Sequence, residues 1–230
     1  MSGIEVPPRS DATSALLRRK INLVAHPFGA ACTALTTHPR IREVWPEYLV
    51  TQHAIIRATV PLMEAAAERA RAMAEDDRVA AGVAPYLEEH AEEERDHDDW
   101  LLEDLELIGL DREDVLKRVP SPTVARLVGA QYYWALNYHP LTVLGYLSLM
   151  EGYPPSESAI ENLIARTGYP REAFRTFAEH GELDTHHRDE LDETIDSLPL
   201  TREHEVLLGL SAMSSVELLT RSIEEVLEQA

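Results

Sequence analysis

Residues 64–75 read EAAAERARAMAE, and nearly every residue in this stretch is a strong helix former. Helical spacing of apolar residues continues on both sides of it, which predicts one helix over about 41–75. Period-2 alternation of β-branched residues never extends beyond four or five positions, and the sequence has no Asn-Gly or Asp-Gly hairpin turn. The sequence therefore predicts an all-α protein.

Helical patterns also fill most of the remaining chain. No change in composition marks a domain boundary, so we expect one compact bundle of about seven helices over 14–230, after a flexible leader at 1–13. The other predicted helices are 14–36 with a bend at Pro27, 84–108 followed by a short turn capped by Asp111, 122–150 with a kink at Pro140, 156–167, 171–197 and 202–228.

The charge and cysteine content exclude several classes of partner. The chain carries 41 acidic and 21 basic residues, a net charge of −20, which repels nucleic acid and anionic lipid. No apolar run approaches the roughly 20 residues that span a bilayer, and the N-terminus lacks the pattern of a secretory signal. Its single cysteine, Cys32, excludes an internal disulfide and a CxxC motif. We therefore expect a cytoplasmic protein that binds neither membrane nor nucleic acid.

Two histidine-rich segments suggest metal ligands. In HAEEERDHDDW, residues 90–100, a continuous helix would place His90, Glu94 and His97 within about 60° of one another. In HGELDTHHRDE, residues 180–190, the i, i+4, i+7 spacing places His180, Asp184 and His187 on one helix face. Two imidazoles and a carboxylate on one face can bind a divalent metal. For the first segment, the alternative is an ordinary solvated acidic face.

A third candidate ligand is the isolated acid Glu151. It follows the apolar stretch 144–150, and a carboxylate on a buried face costs several kcal/mol unless it is paired or bound to a cation. The alternative is an exposed position in the last helical turn. Helix bundles build dinuclear carboxylate sites by combining such constellations from several helices. Mixed nitrogen and carboxylate ligation favours iron or manganese over structural zinc.

These motifs resemble the haem-oxygenase-like iron-containing redox enzymes, also called haem-oxygenase-like di-iron oxidases. The resemblance covers about 84–197 and implies a seven-helix fold like those of haem oxygenase, the thiaminase TenA and the pyrroloquinoline quinone enzyme PqqC. It also implies two Fe(II) ions, the second often weakly held, and no haem. The resemblance further implies that these ions react with the co-substrate O₂ through a peroxo-diferric species. The implied metal ligands are Glu94, His97, Glu151, His180, Asp184 and His187.

One position departs from the family pattern. Some members of the family use E-x6-H in the first of the two histidine-rich segments. In this sequence the residue seven before His97 is His90 rather than an acid. Either Glu94 supplies the carboxylate, or the site is richer in histidine than usual. His90 is therefore an alternative or supporting ligand.

The resemblance implies an oxidoreductase that acts on a small organic substrate, often in a natural-product pathway. By analogy we expect an amino acid or a small carboxylate; neither the reaction outcome nor the electron donor follows from the pattern. Aromatic and polar residues of the segment 129–140 are candidates to line the substrate pocket, although aromatic residues on a helix are more often core. The candidates are Gln131, Tyr132, Trp134 and Tyr138.

Two other functions are compatible with these residues. A metal-independent enzyme of the TenA or PqqC type would use the histidines and carboxylates as general acid-base groups. A non-catalytic metal-binding helical module would use them only to hold ions. The family also suggests a homodimer.

Overall fold

The computed structural model describes residues 12–229, apart from the side chains of Glu182, Asp184 and Thr185. The described residues form eleven α-helices and one 3-10 helix, with no strand among them, which confirms the all-α prediction. The predicted leader 1–13 lies almost wholly outside this range. The helices are α1 (Thr13–Val24), α2 (His26–Thr36), α3 (Ile41–Met73), α4 (Arg78–Glu93), α5 (His97–Leu107), α6 (Arg112–Lys117), α7 (Pro122–Asn137), α8 (Thr142–Met150), α9 (Glu157–Thr167), α10 (Arg175–Ser197) and α11 (Arg202–Glu228), with the 3-10 helix at Arg171–Phe174.

The described part of the chain has more helices than the predicted seven because three predicted helices are each divided in two and one predicted turn is a helix of its own. Pro27 lies in the first turn of α2, so the first helix is divided at Ala25. Pro140 falls between α7 and α8, where it divides the predicted helix 122–150. The turn after Asp111 is a short helix of its own, α6.

The predicted helix 84–108 is wrong at its start and in its middle. It begins earlier, as α4, because the Asp77 carboxylate accepts hydrogen bonds from the Val79 and Ala80 amides and caps the first turn. It is then interrupted after Glu93, and Asp96 adopts a left-handed conformation with φ 68° before α5 begins. His90 and His97 therefore lie on different helices.

Helix α8 forms the centre of the bundle. Every residue from Thr142 to Leu149 is buried, and the helix lies against α11. The two backbones approach closely at Gly145, where a Cβ would lie 2.5 Å from the carbonyl oxygen of Leu208. This packing fixes the C-terminal end of α8, and with it Glu151, inside the protein.

The last helix, α11, is long and apolar enough to cross a membrane by length and composition alone. However, 56% of its most apolar window is buried, and it packs against α1, α2, α7 and α8. The helix therefore serves as a core element of the bundle.

Candidate metal centre

The interruption between α4 and α5 brings a carboxylate next to an imidazole. Glu94 is the C-cap residue of α4, and His97 is the first residue of α5. The His97 Nδ1–H donates a 2.9 Å hydrogen bond to Glu94 Oε2. The left-handed Asp96 makes the tight connection, at a cost of about 1–2 kcal/mol for a non-glycine residue. Local strain is thus accepted where two candidate ligands converge.

Glu94, His97 and His180 form the first triad. One ligand atom from each residue lies within 4.8 Å of the others. The His97 and His180 rings meet edge to face, with centroids 5.0 Å apart. Glu94 and His97 are buried, and His180 is half-buried. Helices α4, α5 and α10 therefore each contribute one candidate ligand, although the sequence separates them by up to 86 positions.

His90, Glu151 and His187 form the second triad, which is fully buried. His90 Nε2 and Glu151 Oε1 share a 2.8 Å hydrogen bond. The His90 and His187 rings are nearly perpendicular, with centroids 4.7 Å apart. Since α8 ends just before Glu151, the central helix of the fold delivers the acid of this triad.

The two triads are adjacent, and Glu94 lies between them. Its Oε2 accepts the hydrogen bond from His97 in the first triad, and its Oε1 is 3.5 Å from His187 Nδ1 in the second. Glu94 thus presents one oxygen to each of two histidine-carboxylate groups, and helix bundles build metal sites from Glu and His side chains that project inward in this way.

Several buried polar atoms of the triads make no hydrogen bond within the described residues. They are His90 Nδ1, Glu94 Oε1, Glu151 Oε2 and His187 Nδ1. Each buried polar atom without a partner costs about 1–3 kcal/mol, and native proteins contain few of them. Four within one small region are explained if cations complete their coordination. The residues present therefore fit the metal ions that the sequence pattern implied.

The charges of the site are strongly coupled. Burial opposes protonation of His90, but its hydrogen bond to Glu151 and the nearby carboxylates of Glu94 and Glu93 raise its pKa to about 9. Burial raises the pKa of Glu151, an effect that His90 partly offsets. Burial also disfavours the charged form of Glu94, yet the hydrogen bond from His97 and the neighbouring imidazoles hold its pKa below the ordinary value. Without a cation, the His90–Glu151 pair retains a proton that a metal ion would displace.

The structure brings together five of the six predicted ligands, namely Glu94, His97, Glu151, His180 and His187. The backbone of the sixth, Asp184, lies on α10 between the two histidines, but its side chain is outside the described residues. His90, considered from the sequence as an alternative, lies in the second triad. The alternative of an exposed Glu151 does not hold, since its residual exposure is 6%. Metal ligation by each residue stays a prediction.

A cavity of about 180 Å³ opens onto this centre. Glu94, Glu151 and His180 form part of its wall, and the remainder is mainly apolar. The apolar wall includes Phe28, Tyr48, Ile56, Leu149, Met150 and Phe177. Gln52 is buried in this wall, and its Nε2 has no hydrogen-bond partner in the part of the chain that the structure describes. Sequence reasoning missed these residues, because they come from α2, α3, α8 and α10 and no local signal on any of these helices distinguishes a cavity wall from ordinary core.

The four residues predicted to line the pocket, three on α7 and Tyr138 at its C-cap, are not among those that line this cavity. Gln131 is fully buried and hydrogen-bonds to Ser211 and Ser215 of α11. Tyr132 packs against the main core cluster. Trp134 lines a separate groove beside α11, and Tyr138 is exposed and meets the Tyr133 ring edge to face. Helix α7 thus packs on α11 instead of lining the site.

A further cluster contains Asp77, His139 and His204, but its hydrogen bonds argue against a metal there. His139 Nδ1 accepts the Leu141 amide, and His204 Nδ1 accepts the Thr201 amide. A neutral imidazole that accepts through Nδ1 carries its proton on Nε2 and has no lone pair left for a metal. The His139 Nε2–H instead donates to Asp77 Oδ2 at 3.3 Å. This cluster ties the start of α4 to the α7–α8 turn.

Fold and site together define a class of protein: an all-α bundle with a buried centre of histidines and carboxylates that could hold metal. The chain belongs to the family of iron-containing redox enzymes, whose pattern it matches over residues 47–218. No curated protein gives a match.

Solved structures of low sequence identity share the fold. A domain of unknown function with a haem-oxygenase-like fold from Shewanella denitrificans is 17% identical, with a TM-score of 0.73 over 94% of this chain and 89% of that one. A TenA homologue from Pseudomonas syringae is 12% identical, with a TM-score of 0.72 over 99% and 100%. A CADD-like protein of unknown function from Nostoc punctiforme is 16% identical, with a TM-score of 0.68 over 94% and 95%. The haem-oxygenase-like fold expected from the sequence is therefore confirmed.

Proposed function

We propose that this protein is a non-haem di-iron oxidase or oxygenase that uses O₂ to oxidise a small organic molecule bound in the apolar cavity. The observation that carries the proposal is the pair of adjacent triads with Glu94 between them. Glu94, His97 and His180 would hold one iron, and His90, Glu151 and His187 the other. Asp184, matched to the family pattern, would be a further ligand on α10.

A bound iron pair supplies electrons to O₂ and acts as a Lewis acid. The chain supplies charge compensation and orientation. Glu94, Glu151 and Asp184 bring three negative charges against the four positive charges of two Fe(II), so the cluster is left near +1. The imidazoles add neutral donors, a ligand set that suits redox-active iron better than calcium or magnesium. The three side chains of the second triad are themselves buried.

The cavity favours a substrate with an apolar body. Its apolar side chains exclude water from the face of the centre formed by Glu94, Glu151 and His180. Gln52 offers a buried amide that can hydrogen-bond a polar group of the substrate and so orient it. No Lys or Arg is among the described residues of the wall. An amino acid or small carboxylate, the class expected by analogy, would therefore have to place its carboxylate on the metal centre.

Iron binding to the metal-free protein tests the proposal directly. Anaerobic titration with Fe(II), followed by iron analysis and Mössbauer spectroscopy, should give two ions per chain. His180→Ala should lower that number, whereas His26→Ala, which changes an exposed histidine at the start of α2, should not. The iron-loaded protein should then consume O₂ faster when a true substrate from a compound library is present.

A metal-independent acid-base enzyme predicts the opposite behaviour. Turnover that persists in EDTA and without O₂ would overturn the di-iron proposal and favour that alternative. Stable iron binding with no O₂ consumption, whatever substrate and reductant are supplied, would instead favour a metal-binding module.

A further inference from the structure

A second opening reaches the metal centre from another direction. It is a groove of about 460 Å³ between α4 and α10, and none of its described lining residues also lines the apolar cavity. Its wall carries four glutamates, which we call the acidic groove: Glu89, Glu93, Glu190 and Glu193. The centre is therefore bordered by an apolar cavity and by a strongly anionic groove.

The negative charge of the acidic groove is not neutralised by the protein. Within the described residues, none of its four glutamates forms an ion pair with Lys or Arg. Glu190 contacts the exposed His186 at 3.1 Å. Like charges placed together cost energy unless a cation screens them, and a cleft lined by one sign of charge concentrates the opposite ion.

The inner end of the acidic groove is formed by a metal-site residue. His90, only 1% exposed, lines the groove, and its Nδ1 makes no hydrogen bond in the described structure. Glu93 lies between the groove and the second triad. Its Oε2 is 3.5 Å from His90 Nδ1 and 3.7 Å from His187 Nε2, while its side chain is still 40% exposed to solvent. Glu93 thus contacts the surface and two members of the second triad at once.

We propose that the acidic groove is the route by which Fe(II) reaches the centre, with Glu93 passing the ion from the outer glutamates to His90 and His187. The inference rests on the proposed function, since it assigns a loading route to that same centre. Carboxylates at the rim suit a hydrated divalent ion, and imidazoles at the inner end suit iron once it has shed water. The described residues of the other cavity's wall are mainly apolar and offer no comparable row of carboxylates along its length.

Loading kinetics test this route separately from activity. The metal-free full-length protein is mixed with Co(II), a visible-absorbing stand-in for Fe(II), in a stopped-flow instrument at low ionic strength. The double variant Glu89→Gln/Glu193→Gln should load about 3- to 10-fold more slowly, within the range by which charged clefts change association rates. Its final stoichiometry should equal that of the wild type, because neither residue contacts the triads. At about 1 M salt, where the Debye length is only about 3 Å, the difference should disappear.

A charge-matched control separates the groove from net charge. Glu43→Gln/Glu113→Gln removes two exposed acids from α3 and α6, outside the groove. This control should load at the wild-type rate. Equal rates in both double variants would overturn the proposed route.

Glu93→Gln tests the last step. It should slow loading at least as much as the outer double variant does, because the ion then lacks the carboxylate that contacts both His90 and His187. Loading at the wild-type rate would contradict a role for Glu93. If the wild type binds no metal at equilibrium, the proposed di-iron function fails. If it binds two ions but the groove variants load normally, only the route fails.

Discussion

At the scale of single residues, we expect Glu94 to have the largest effect on iron binding. It is the only described side chain with an oxygen toward each triad. Its burial is tolerated because the surrounding imidazoles stabilise the charged form and hold its pKa low. The neighbouring Glu92 differs completely, since it is exposed and pairs with Arg95. Two acids two positions apart thus have unrelated roles, which composition and charge runs do not distinguish.

Replacing Glu94 with Gln should weaken both iron sites. The substitution removes one of the charges that balance the metal ions, so we expect at least about a tenfold loss of affinity at each site, in line with the loss of a charged partner of more than about 1.4 kcal/mol. Anaerobic Fe(II) titration against a competing chelator measures both constants. Glu92→Gln is the matched control and should bind as the wild type does. Loss at only one site would show that Glu94 does not serve both triads.

The pKa of His139 leads to a prediction of how the stability of the folded protein depends on pH. Burial lowers the pKa of His139 below its usual value, and Asp77 offsets this only in part. The unfolded chain therefore takes up a proton near pH 6.5 before the folded chain does, and the free energy of unfolding should fall as the pH drops below about 6.5. The slope from this one group is at most about 1.4 kcal/mol per pH unit.

Urea denaturation at pH 7.5, 6.5 and 5.5 measures this effect in the wild type and in His139→Gln. The variant should show a shallower loss of stability toward low pH. His26→Gln, at an exposed position, should keep the wild-type slope. An identical slope in His139→Gln would show that another group controls the response.

At the scale of helices, the positions of the candidate ligands follow from where helices end. Periodicity placed His180 and His187 correctly, because both lie on the single helix α10. It failed for residues 84–108, since the left-handed Asp96 breaks that helix and no glycine marks the break in the sequence. The convergence of Glu94 and His97 therefore depends on tertiary contacts that favour a locally unfavourable backbone. The prediction that residues of α7 line the pocket failed for a related reason. This helix has apolar side chains on several sides, so its sequence does not reveal which side meets α11.

The close packing of α8 on α11 at Gly145 can be tested by adding a single methyl group. Gly145→Ala should destabilise the protein by about 1–3 kcal/mol, because the new Cβ would lie 2.5 Å from the Leu208 carbonyl oxygen of α11. Since α8 delivers Glu151, the same variant should also weaken binding at the second iron site. Urea denaturation and Fe(II) titration measure the two effects.

Gly129→Ala is the natural control for that substitution. Gly129 is also helical, but no described atom outside its own helical turn lies within 4 Å of the point that a Cβ would occupy, so alanine should stabilise the protein by about 0.5–1 kcal/mol. Equal effects at the two glycines would show that close packing of α8 on α11 is not what Gly145 provides.

At the scale of the whole molecule, the described helices surround a buried centre that an apolar cavity and an acidic groove both reach. Local sequence was enough to predict an all-α bundle and most of the residues that meet at the centre, because helical spacing and ligand chemistry are both local properties. The cavity wall and the acidic groove could not be predicted, since each combines side chains from several helices. Separate approaches would allow metal ions and an apolar substrate to reach the same centre without competing for one passage.

Metal binding should couple this centre to the stability of the entire bundle. The candidate ligands come from α4, α5, α8 and α10 and the segments that follow them, so an ion that binds only the folded chain stabilises all of these elements together. At a free Fe(II) concentration of about 100 times Kd, each site adds about 2.7 kcal/mol, which corresponds to a rise in Tm of at least about 5 °C for a domain of this size. Anaerobic differential scanning calorimetry should show this rise, and a chelator should reverse it. His187→Ala should lose the part due to the second triad, while His26→Ala should keep the full shift. A Tm that does not change when Fe(II) is added would mean that the buried polar atoms of the triads do not bind the ion in the folded protein.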